Sequence, residues 1–121
     1  MAIKVNLSSG VQQLAASTDD KSVHEQAVRT AVTAFSIYNT LEFNVNLTIY
    51  ASPDSTSAAG EPVADITLGP TGSEDDSVDV PEVIGQGYAA GIQLIVVINT
   101  AGVLLGELLA SVTFSQFTGD S

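Results

Sequence analysis

Between Phe43 and Tyr50 the side chains alternate in character. Phe43, Val45, Leu47 and Ile49 are apolar, while Asn44, Asn46, Thr48 and Tyr50 form the more polar set. A period of two puts one set on each face of an extended strand, whereas a helix would scatter the four apolar residues around its circumference. A strand with one apolar face must bury that face against a second layer. Ala2 to Ser8 repeats the alternation through Ile3, Val5 and Leu7. Val23 to Ile37 reads as one or two strands, because Thr30, Val32, Thr33, Phe35 and Ile37 are β-branched or aromatic and fit a pleated surface. A helix is the alternative there, with Ala27, Val28, Ala31, Val32 and Phe35 along one side.

Turn formers separate the remaining segments. Ser52 to Glu61 holds Pro53, Asp54, several serines and Gly60, and reads as a loop. Pro62 to Leu68 is a short strand, and Pro70 to Asp79 is a second, acidic loop. Gly85, Gly87 and Gly91 mark a bend or bulge. Ile92 to Ile98 is a nearly continuous apolar run, as expected of a strand buried on both faces. Asn99 to Gly102 supplies turn chemistry, so Ile92 to Ile98 and Val103 to Phe117 are expected to form a hairpin. The total is seven or eight strands with turns between them, which predicts an all-β, single-domain β-sandwich, immunoglobulin-like or jelly-roll-like. Residues 1–121 form that one domain, with residues 1–20 expected to be an extended N-terminal segment.

The charge balance restricts the partners. Lys4, Lys21 and Arg29 are the only bases against 14 acids, for a net charge of −11. Nucleic acid is excluded as a partner because phosphate binding requires clustered cations, and an anionic membrane is excluded for the same reason. The most apolar stretch, Gly87 to Ala110, is interrupted by Asn99 and Glu107, while a membrane-spanning helix needs about 20 apolar residues. The chain has no cysteine, which removes disulfides, thiolate metal sites and cysteine nucleophiles.

No catalytic constellation is legible. His24 is the sole histidine, and Glu25 beside it does not supply the partners a catalytic base or metal site requires. It reads as a polar strand residue. No Gly-x-Ser-x-Gly elbow occurs, and Gly85-Gln86-Gly87 lacks the glycines of a dinucleotide fingerprint. Glu74, Asp75, Asp76 and Asp79, with Glu82 beyond them, are the candidate calcium ligands, since calcium takes several oxygens. Their spacing matches no EF-hand, and a solvated acidic loop is the plainer reading. Neither a cofactor nor a metal is therefore expected. Sequons occur at Asn6 and Asn46, both within strand segments. Tyr38, Tyr50 and Tyr88 could anchor an interface or stack on a sugar, although packing at the rim of the core is the plainer reading.

The start Ala2 to Leu7, Val23-His24 followed by Arg29-Thr30, and Ile37-Tyr38-Asn39 form one series of features. Leu47-Thr48-Ile49-Tyr50-Ala51 and Pro81 to Gly91 ahead of an apolar strand complete it. Together they resemble the small β-sandwich structural proteins of tailed phages, over most of the chain. The resemblance implies a non-enzymatic virion protein: a capsid decoration or cement protein, or a tail, adaptor or fibre component. Its partners would be the major capsid protein or another virion protein, and further copies of itself in a homo-oligomer. It carries over no site residues. From a different class, a carbohydrate-binding adhesin module would use the exposed tyrosines. In the cement reading, the N-terminal strand and a flexible Ser8 to Asp20 would pair with an edge of a neighbouring chain.

Overall fold

The computed structural model describes the backbone of residues 2–119 and the side chains of residues 5–117. Among the described residues nine strands follow one another: β1 (Ala2–Gln13), β2 (Asp20–Glu25), β3 (Thr30–Asn39), β4 (Val45–Ser52), β5 (Glu61–Leu68), β6 (Ser77–Asp79), β7 (Gly87–Tyr88), β8 (Gln93–Ile98) and β9 (Leu108–Gly119). A single 3₁₀ turn, Ser57–Ala59, interrupts the β4–β5 connection. The strands form two antiparallel sheets. One has the order β1-β9-β3-β6, with β7 also pairing β3, and the other has the order β2-β8-β4-β5. The chain is thus an all-β sandwich, and Val23 to Ile37 forms two strands rather than a helix.

The alternating pattern explains the core. Val45, Leu47 and Ile49 of β4 are fully buried, as are Leu94 and Ile98 of β8 and Val32, Phe35 and Ile37 of β3. Phe35 is the largest fully buried side chain. Phe43, expected on the same face as Val45, lies in the bend before β4 and is 44% exposed. The expected C-terminal hairpin is also corrected: β8 sits between β2 and β4, whereas β9 lies in the other sheet between β1 and β3. Each strand thereby gains two paired neighbours. The connection between them crosses the end of the sandwich and buries Val103 there. Ser17 fixes this crossing, its hydroxyl donating to Thr100 O at 2.6 Å and accepting from Val103 N at 2.8 Å.

Of the four register shifts among the described strands, three decide which way side chains near the candidate surfaces point; the fourth lies between β4 and β5 at Ile49 and Tyr50. In β1 the register with β9 shifts between Ser8 and Val11, and Gly10 adopts a left-handed φ of 69° that suits glycine. The Ser9 hydroxyl accepts from Val112 N at 3.0 Å, filling part of the interrupted ladder. Strict alternation would keep Val11 on the face of Val5 and Leu7. The bulge turns it outward, and it is 75% exposed. Ser8 to Gln13, expected to be flexible, therefore continues the strand. The second bulge, in β2 between Ser22 and His24, turns both Val23 and His24 inward. The third, in β3, projects Thr33 out of the ladder, and its hydroxyl donates to Thr113 O at 3.1 Å.

Candidate interaction surface

The sandwich is open along one side. β1 is an edge of one sheet and β2 an edge of the other, and no described strand pairs with the free edge of either. Val5 and Leu7, aligned across the ladder with Gln116 and the buried Phe114, face inward but are 37% and 38% exposed. A cleft of about 540 Å³ lies between the edges, lined by Leu7, Ser8, Ser9 and Gln12 of β1, by residues 22–26, and by Phe114. The Gln12 amide donates to Val23 O at 2.8 Å and clasps the two sheets together. It also removes one free acceptor from the β2 edge, a common protection for exposed strands.

His24 forms the inner wall of this cleft. Sequence alone placed it as a polar strand residue, but the β2 bulge buries it to 3% exposure. Its Nε2 lies 2.8 Å from the hydroxyl of Thr30, itself buried. Phe114 packs edge-on at 4.8 Å between ring centroids, and Tyr88 at 6.2 Å. Nδ1 is buried with no partner among the described residues. Burial lowers the His24 pKa below its ordinary 6.5 and raises that of the Tyr88 phenol, since a charge in apolar surroundings loses hydration. The ring is therefore held neutral, in a packing role.

The candidate calcium ligands are dispersed. Asp79 belongs to β6, where it accepts from the Ser36 hydroxyl at 3.0 Å. Asp76 turns back to accept from Gly72 N at 2.9 Å. Among the described residues, no three His, Cys, Asp or Glu side chains are grouped to hold a metal ion. The two sequon side chains are engaged within the sheets. Asn46 donates to Asp65 at 2.7 Å and accepts from Asn99 at 2.6 Å, and Asn6 accepts from the Ser115 hydroxyl at 2.8 Å. The tyrosines divide by site: Tyr88 is buried, Tyr50 half-buried, and Tyr38 is 39% exposed with its hydroxyl 3.2 Å from that of Thr71.

Sequence reading missed a segregation of charge that appears only once strands are assigned to sheets. The five strands β1, β3, β6, β7 and β9 contain one carboxylate between them, Asp79. Their outward face carries Ser8, Val11, Ala34, Ser36, Tyr38, Leu109, Ser111 and Thr113. A shallow apolar groove of about 170 Å³ runs between Val11, Tyr38 and Leu109. Away from this groove, towards the other end of β9, the Arg29 guanidinium lies 4.9 Å over the Phe117 ring, an attractive cation–π arrangement. The strands of the other sheet bear Asp20, Glu25, Glu61 and Asp65.

No family model matches the chain, and no curated protein matches it in sequence. Among solved structures, it is similar to that of the infectious bursal disease virus Gx strain at 14% identity and a TM-score of 0.42. That likeness covers 99% of this chain and 33% of the other, so the chain spans about a third of that protein. Turnip yellow mosaic virus gives 15% identity and a TM-score of 0.46, over 100% of this chain and 84% of the other. PirA gives 14% and 0.41, over 97% and 93%.

Proposed function

We propose that the protein is a non-enzymatic structural component of a virus particle, acting as a capsid decoration or cement protein. The observation that carries a role in protein contact is the open side of the sandwich. There a twelve-residue edge strand, β1, has no neighbour on one edge among the described strands and half-exposes Val5 and Leu7. An unpaired strand edge is a template for an extended segment of another chain, with main-chain hydrogen bonds supplying affinity and side-chain pockets supplying specificity. The location on a virion follows from the resemblance to tailed-phage structural proteins.

The mechanism is linkage. A protein that binds the assembled shell, but not free subunits, stabilises the shell in proportion to its occupancy. The net charge of −11 favours a shell surface with basic or neutral contacts and repels nucleic acid. The test compares particles assembled with and without the protein. Cement function predicts co-purification with intact particles, surface location by electron microscopy and a higher disruption temperature. Leu7→Asp should abolish binding while leaving the fold intact. Unchanged particle stability, with the protein absent from the surface, would refute the reading. Location on the tail would transfer the protein to the adaptor or fibre class.

A further inference from the structure

We infer that the outward face of the β1-β9-β3-β6 sheet is a self-association surface, and that its occupant is the same face of a second copy of this chain. The argument begins with charge. Two copies with a net charge of −11 each repel unless the surfaces that meet exclude like charges. The strands of this sheet contain Asp79 as their only carboxylate, and Ser36 hydrogen-bonds it at 3.0 Å. A basic partner would be drawn instead to the acidic loops, where carboxylates are plentiful. A neutral face on a strongly acidic chain is thus suited to another copy of the same chain.

Size and relief agree. The strands β1, β3 and β9 are 12, 10 and 12 residues long. At about 3.3 Å per residue and about 4.8 Å between strands, the face measures on the order of 600 Å². That approaches the roughly 800 Å² per partner of a stable standard interface. Its centre is built from small side chains, Ala34, Ser36, Ser111 and Thr113, which permit close approach of two sheets. Sheets pack face to face about 10 Å apart. Val11 is raised and 75% exposed beside the groove at Tyr38 and Leu109, so the face offers both a projection and a recess. A two-fold axis would pair each with its counterpart, as an isologous contact requires. The pairing is independent of whether the protein sits on a virus particle.

The test is light scattering of the full chain over a concentration series, at low salt and at about 0.5 M salt, where the Debye length falls to a few ångströms. The expected mass rises towards twice that of the monomer with concentration, and rises further with salt as the repulsion of the remaining acids is screened. Ala34→Glu combined with Tyr38→Glu places carboxylates on both copies across the contact and should weaken association at least about tenfold, with an unchanged far-UV spectrum. Val11→Glu, at a side chain with little packing to lose, should act in the same direction and covers the case in which the double variant fails to fold. Thr67→Glu, on the other sheet, should leave association unchanged. A wild type that stays monomeric throughout, association that weakens with salt, or a folded Val11→Glu that dimerises as wild type would each overturn the inference.

Discussion

The two outer faces of the sandwich are built alike and finished differently. Both are antiparallel sheets whose inward residues fill one core. Part of the outer face of the β2-β8-β4-β5 sheet is covered by its own chain: the 3₁₀ turn between β4 and β5 packs against β4 and β8. It is tied at one side by Asp20, which accepts from the amide and the hydroxyl of Ser57 at 3.0 and 2.7 Å. It is tied at the other by Ser52, fully buried, whose hydroxyl donates to Thr56 O at 2.7 Å. Gly60 lets the segment lie this close, because a Cβ there would sit 2.8 Å from Ala51 O. Ile95 is consequently fully buried, although its neighbours Leu94 and Val96 are the ones that face the core. Among the described residues, no 3₁₀ turn or helix lies over the outer face of the β1-β9-β3-β6 sheet, and its strands carry one acid. A face that the chain closes for itself contributes to its own folding. A face left bare and neutral is available to another protein.

This contrast can be broken by substitution. Ile95→Ala should cost about 2–4 kcal/mol in urea or thermal unfolding, as for a buried core aliphatic. A cost within about 0.5 kcal/mol would mean that the covered face is not packed. Gly60→Ala should cost about 1–3 kcal/mol through overpacking against β4. Ser52→Ala should cost about 1–2 kcal/mol by leaving the covering segment's groups unpaired. On the bare face, Thr113→Ala should stay within about 0.5 kcal/mol for the monomer, as expected for a surface change.

A further expectation concerns pH. His24 has a folded-state pKa below its ordinary 6.5, so the unfolded chain binds the extra proton first. Stability from this group is complete above pH 6.5 and is lost as the pH falls through the folded-state value. The melting temperature should therefore decline below pH 6.5, before carboxylate titration begins, and His24→Gln should flatten that part of the profile. A wild type with no decline between pH 6.5 and 5 would contradict the buried neutral ring.

Much of the sandwich was legible in the sequence, because Val45, Leu47 and Ile49 alternate cleanly and Ile92 to Ile98 is apolar on both faces. The bulges were not legible. Nothing in Ser8 to Val11 beyond Gly10 signals that the register breaks there, yet the break sends Val11 outward. The same holds at Val23, where one extra residue buries His24. The pairing of β8 and β9 was misread because a turn signal at Asn99 to Gly102 is local, whereas the choice of sheet is made by contacts distant in sequence. The neutral face was hidden for a related reason. Its long strands come from both ends and the middle of the chain, and β8, equally free of acids, lies in the other sheet.

The contrast between the two faces is tested most directly by amide chemical shifts of the wild-type protein on dilution from high concentration at about 0.5 M salt. The account predicts shift changes clustered at Val11, Ser36, Tyr38, Leu109 and Ser111, with Tyr50, Ala58 and Ile95 unmoved. Changes centred on the covered face, or a spectrum that does not respond to dilution at all, would contradict it.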